Sequence, residues 1–140
     1  MKNIGVIGLG DMGSGIALNL IKNGFKVFGS DLLPARQQAF KNMGGSLEIS
    51  IADIGKKCDA VFVMVMNGSQ AKSIIFDEDG LARNMEAGST VILSATIKPS
   101  EAEEIGHLIK DTGLQFIDTP VSGGFPGAQS GTLTLMASAS

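Results

Sequence analysis

Apolar runs alternate with amphipathic stretches along the whole 140-residue chain. Five runs are near-continuously apolar: "IGVIG" (4–8), "KVFGS" (26–30), "AVFVMVM" (60–66), "TVIL" (90–93) and "LQFID" (114–118), with a shorter one around Ser46–Glu48. A strand with one wet face alternates apolar and polar side chains, whereas a strand covered on both faces does not. The runs therefore predict the buried strands of a parallel sheet. Between them the period is helical. Met12, Ile16 and Leu20 recur at helix spacing, and Asn23-Gly24 supplies the stop. Pro34 suits the opening of the next helix, where its missing N–H costs nothing. Ser100 with Glu103 predicts a capping box ahead of Ile105, Leu108 and Ile109, and "DTG" closes that helix at Gly113. "FDEDG" (76–80) predicts a solvated surface turn. Strand and helix in series imply right-handed crossovers, hence an α/β fold: a doubly wound parallel sheet in a three-layer αβα arrangement, with residues 1–140 as one domain.

Composition narrows what such a domain does. Apolar residues make up 44% and charged residues 18%, the balance of a globular chain. The net charge is −3, with no basic block and neither Trp nor Tyr, which argues against a nucleic-acid partner. The single cysteine, Cys58, has no internal disulfide partner and fits a reducing, cytoplasmic setting. It heads an apolar run, so it reads as a packed thiol rather than a nucleophile. No apolar run approaches the roughly 18 residues of a membrane span, and the N-terminus leads into glycines and Asp11 rather than a signal-peptide cleavage site. No metal-ligand spacing stands out.

The candidate chemistry starts at Gly8-Leu9-Gly10-Asp11-Met12-Gly13, a G-x-G-x-x-G between the first strand and the first helix. In that context Gly8 permits the tight turn, Gly10 lets a pyrophosphate approach the backbone, and Gly13 lets helix pack on strand. The helix N-terminus then turns N–H groups and a partial positive charge toward phosphate. Asp31, at the end of the second strand, has the position of the acid that takes the adenosine ribose hydroxyls and repels a 2′-phosphate. Leu32 and Leu33 follow it, and the nearest cation, Arg36, stands one helical turn on. The expected fold is thus a Rossmann dinucleotide-binding domain, with NAD preferred over NADP.

Taken together, "IGVIGLGDMGSGIALNLIKNGFKV", "VMVMNGSQ", "SATIKPS" and "IDTPVSGGFPGAQSGTLTLMAS" resemble the β-hydroxyacid dehydrogenase family, which includes 3-hydroxyisobutyrate and tartronate semialdehyde dehydrogenases. The "NGSQ" and "SATIKP" variants look most like its L-threonate dehydrogenase branch. The resemblance implies that Gly8, Leu9, Gly10, Asp11, Met12 and Gly13 hold the pyrophosphate and Asp31 the ribose. It implies further that Val65, Met66 and Asn67 turn their backbone to the cofactor, and that Thr96 lies near the nicotinamide half. Ser122, Gly123 and Gly124 match the family's substrate-binding segment, where successive N–H groups converge on a carboxylate. The implied substrate is a short hydroxy or sugar acid, and the implied assembly a homo-oligomer.

The resemblance also implies a catalytic lysine in a G-x-x-x-K-x-x-x-N pattern on a helix beyond the cofactor domain. Gly106 and Lys110 have the first spacing but Leu114 replaces the Asn, and Gly68 and Lys72 are followed by Phe76. Both lysines read as solvated surface charges, and the lone His107 as a surface or boundary histidine rather than an acid/base catalyst. The expectation is therefore a cofactor-binding portion without its helical catalytic domain and inactive alone. The alternative is a dinucleotide-binding module that performs no turnover.

Overall fold

The computed structural model describes residues 3–48, 50–65, 67–95 and 98–118. Strand and helix alternate as β1 (Asn3–Ile7), α1 (Asp11–Lys22), β2 (Lys26–Ser30), α2 (Pro34–Asn42), β3 (Ser46–Leu47), α3 (Ile51–Lys57), β4 (Ala60–Val65), α4 (Gly68–Phe76), α5 (Leu81–Asn84), β5 (Thr90–Ala95), α6 (Pro99–Lys110) and β6 (Gln115–Asp118). All pairings are parallel, and the sheet order is β3-β2-β1-β4-β5-β6. That is the doubly wound order, in which the chain returns to the middle and leaves the other way. Ile4 stands level with Val27 on one side and Ala60 on the other, so the central strands end together at one carboxyl edge.

The continuous apolar runs of β1, β2, β4 and β5 arise because each of these strands feeds two cores. Ile4, Val6, Val27, Ala60, Phe62 and Ile92 pack under α1 and α2 with Ile16, Leu20 and Phe40. Val61, Val63, Val91 and Leu93 face the opposite way, against Ile54, Ala71, Ile75, Ile105 and Ile109 from α3, α4 and α6. Phe40 is fully buried because Gly29 and Gly45 leave room for its ring.

Two local expectations need correction. The last helix does not start from a Ser100–Glu103 box. It begins at Pro99, and the Lys98 N–H donates to Glu101 Oε1 at 3.2 Å. Proline is pre-set for the first helical position and keeps the residue before it extended, so the cap falls on Lys98. Leu108 is 47% exposed, because Ala102, Ile105 and Ile109 already fill the inward stripe of α6. The 76–80 segment does turn, with the Gly80 N–H donating to Asp77 O at 2.7 Å, but a short helix that the pattern did not predict, α5, follows it. Gly113 closes the segment after α6 at φ 81°.

Cys58 is buried in the α3–β4 core, and burial pushes its thiol up to about 12 from an ordinary 9.0. The folded chain thus keeps the thiol neutral over a range where the unfolded chain ionises it. The resulting contribution to stability is complete below the unfolded pKa of 9.0 and is lost as pH rises towards about 12. Native Cys58 should resist iodoacetamide at a pH of about 8 and react once denaturant is added. Labelling of the native chain at the unfolded rate would contradict this placement.

Candidate cofactor site

The site begins where β1 runs out. Gly8 turns the chain at φ 96°, a left-handed conformation that a side chain would strain, and its N–H donates to Ser30 O at 2.9 Å. β1 sits between β2 and β4, so α1 departs to one face of the sheet and α4 to the other. This parting leaves a crevice at the carboxyl ends of β1 and β4, where doubly wound sheets hold ligands.

Gly10 is the N-cap of α1 and offers no side-chain cap; the first intrahelical bond runs from Ser14 N to Gly10 O at 2.8 Å. The N–H groups of Asp11, Met12 and Gly13 therefore precede the helical ladder and point outward from its start. A Cβ on Gly13 would overlap the carbonyl oxygen of Gly8, and one on Gly8 would overlap that of Met64. The loop is thus folded against backbone on both sides, and its shape, with donors at a positive helix end, fits a pyrophosphate. Ser14 Oγ fixes the loop further by donating to Leu9 O at 2.6 Å. Sequence reasoning passed over Ser14; the available signal was a hydroxyl in the first turn, a residue type that bonds nearby backbone.

Asp31 comes to the same loop from the end of β2. Its Oδ2 accepts the Leu9 N–H at 2.6 Å, and its Oδ1 accepts the Leu33 N–H at 2.9 Å. Its side chain is only 6% exposed, with Arg36 Nη1 3.6 Å from Oδ2. Gln37 Nε2 donates to the Asp31 carbonyl at 2.6 Å, tying α2 to the strand end. The acid therefore stands where the sequence pointed, but it also pins the glycine loop, a task that spacing did not reveal.

Val65 ends β4 at the crevice edge. Asn67 caps α4, its Oδ1 accepting the Gln70 N–H at 2.8 Å and its carbonyl oxygen the Ala71 N–H at 3.2 Å. The Glu101 carboxylate crowds Gly68 so closely that a Cβ there would overlap it. The buried Ser94 hydroxyl meets Met12 Sδ at 3.8 Å, joining the end of β5 to the start of α1. Met66, Thr96, Ser122, Gly123 and Gly124 lie outside the described residues. Lys72 pairs with Glu104 at 2.8 Å, while Lys110 and His107 are exposed on α6, as the sequence implied. Among the described residues no group of three or more His, Cys, Asp or Glu gathers around a metal position, and no helix is long and apolar enough to cross a membrane.

Residues 3–140 match the family described as the NAD binding domain of 6-phosphogluconate dehydrogenase. The L-threonate dehydrogenase of Cupriavidus necator is 44% identical over 137 residues, covering 98% of this chain and 46% of that protein. The mitochondrial 3-hydroxyisobutyrate dehydrogenase of Rattus norvegicus is 36% identical over 133 residues, covering 95% of this chain and 40% of its own length. The solved 3-hydroxyisobutyrate dehydrogenase of Mycobacterium tuberculosis, with L-serine, superposes at a TM-score of 0.83 with 28% identity, over 93% of this chain and 44% of that one. The chain thus spans less than half the length of these relatives.

Proposed function

The chain belongs to the family defined by the NAD binding domain of 6-phosphogluconate dehydrogenase, and from that premise we propose that it is the cofactor-holding part of an NAD-dependent dehydrogenase acting on a short hydroxy acid. The observation that carries the reading is the glycine loop at the β1–β4 crevice, with α1's free N–H groups on one side and Asp31 on the other. In this reading the Asp11, Met12 and Gly13 amides, beside Gly8, Leu9 and Gly10, bind the pyrophosphate, and Asp31 orients the adenosine ribose. The backbones of Val65, Met66 and Asn67 face the cofactor, and Thr96 lies near its nicotinamide half.

Bound nicotinamide supplies the hydride-accepting carbon, and the chain's own share is orientation and electrostatics. Its substrate-facing part is Ser122 with the Gly123 and Gly124 amides, which hold the acid's carboxylate. The names and ligand of the relatives support this substrate class: L-threonate, 3-hydroxyisobutyrate and L-serine all carry a hydroxyl close to a carboxylate. The proton-accepting lysine belongs to a separate helical domain, in keeping with Lys72 being engaged by Glu104 and Lys110 lying exposed on α6. Self-association is part of the same reading.

Calorimetric titration of the chain with NAD and NADH should give saturable binding, while assays with L-threonate and 3-hydroxyisobutyrate should give no turnover. A folded chain that binds neither form of the cofactor would remove the proposal. Turnover by these 140 residues alone would remove the separate lysine domain. A concentration-independent monomer in light scattering would remove self-association.

A further inference from the structure

The carboxylate of Glu101 meets two helix starts at once, and the proposed function gives it no task. Glu101 stands in the first turn of α6, where its Oε1 accepts the Lys98 N–H at 3.2 Å. Its Oε2 lies against Gly68, the first residue of α4, where an added Cβ would overlap it. That Cβ would also stand 2.7 Å from the Glu101 Cδ and 3.2 Å from its Cβ, so the side chain is laid across the start of α4. One turn further along, Lys72 of α4 pairs with Glu104 of α6 at 2.8 Å, and the two helices run side by side.

An anion at a helix start offsets the partial positive charge of the N–H groups that precede the ladder. α4 has no acidic residue in its own first turn. Glu101 supplies one from α6, and a glycine at position 68 is what lets it come so close. These two helix starts end the two loops that the proposed function sets beside the cofactor. Gly68 follows Asn67 directly, and Lys98 stands two residues after Thr96. The strands before the loops, β4 and β5, pair in register as far as Val65 and Ala95. Sheet pairing thus fixes the loops where they begin, and Glu101 ties them together where they end.

We infer that Glu101 is a positioning residue for the nicotinamide half of the cofactor: its carboxylate locks the start of α4 to the start of α6 and so holds the Asn67 backbone and Thr96 at one separation. This rests on the proposed dinucleotide site. Glu101 takes no part in hydride transfer. The phosphate loop and the ribose acid do not depend on it, since they are held by β1, α1 and their own bond from Leu9 to Asp31.

The test is calorimetric titration of the folded chain with NADH and with ADP-ribose, which keeps the adenosine and pyrophosphate but lacks the nicotinamide ring. Glu101→Ala should raise the NADH dissociation constant by about tenfold, or ~1.4 kcal/mol, and leave that of ADP-ribose within about twofold of wild type. Glu101→Gln keeps an acceptor for the Lys98 N–H and should fall between wild type and alanine. Gly68→Ala should reproduce the loss, because its Cβ pushes the flexible carboxylate aside. The double variant should then be no weaker than either single one. Circular dichroism confirms folding, and Glu101→Gln with Gly68→Ala decides the matter if Glu101→Ala does not fold. Equal losses for NADH and ADP-ribose, an unchanged NADH constant, or full additivity in the double variant would overturn the inference and leave the proposed function standing. Binding of neither ligand to the folded wild type would overturn the proposed function, and the inference with it.

Discussion

Replacing Gly13 with valine should weaken NAD binding by about 100-fold or more and lower stability by about 1–3 kcal/mol. Any Cβ at this position overlaps the carbonyl oxygen of Gly8, and Val6 Cγ1 lies only 3.5 Å away on the strand side. The obstacle is backbone, which cannot rotate aside as a flexible side chain would. α1 must then lift from β1, or the loop must open. Either movement displaces the Asp11, Met12 and Gly13 amides from one another. Losing two charge-assisted hydrogen bonds to the phosphates at roughly 1.5 kcal/mol or more each accounts for the predicted loss of affinity. Gly24→Ala is the matching control. Gly24 also has a positive φ, 88°, but nothing lies within 4 Å of its Cβ position. It should cost about 1–2 kcal/mol of stability from backbone strain alone and leave NAD affinity at the wild-type level. Calorimetry and thermal melts on both variants make the comparison. A Gly13→Val chain that binds NAD within about threefold of wild type, ~0.6 kcal/mol, would show that the loop is not the phosphate cradle.

The contrast between these two glycines marks how far the chain can be read without its fold. The strands were legible because β1, β4 and β5 are buried on both faces, and such burial writes itself as unbroken apolar runs. The G-x-G-x-x-G and Asp31 were legible because their roles follow from position along a strand–turn–helix unit. Features set by close packing were less so. Nothing in the spacing separates Gly13, pressed on Gly8, from Gly24, which faces open space. Leu108 fits the helical period of α6 yet is exposed, since Ala102, Ile105 and Ile109 already form the helix's buried stripe. Ser14, Gln37 and Ser94 act through bonds to Leu9 O, Asp31 O and Met12 Sδ, and these depend on how the loop, α2 and β5 meet in space. Arg36 was visible as the nearest cation, but whether it faced solvent or the loop was a question only its rotamer could answer.

Asp31→Ala should raise the NAD dissociation constant by roughly 30- to 150-fold, equivalent to about 2–3 kcal/mol. Two losses combine. The Leu9 N–H, on a residue only 1% exposed, loses its acceptor at 2.6 Å, and the Leu33 N–H loses its own at 2.9 Å. The ribose loses its anionic acceptor as well. Asp31→Asn should fall between alanine and wild type, because its one carbonyl oxygen can serve Leu9 or Leu33 but not both. NADP separates the two losses. If Asp31 only pins the loop, NAD and NADP affinities should drop together. If it also takes the ribose hydroxyls, NAD should lose more than NADP, since removing the acid frees Arg36 of its partner at 3.6 Å and relieves repulsion of a 2′-phosphate. We expect the second outcome, read as a fall in the ratio of NADP to NAD dissociation constants. An Asp31→Ala chain that keeps NAD affinity within about threefold of wild type would remove Asp31 from the site altogether.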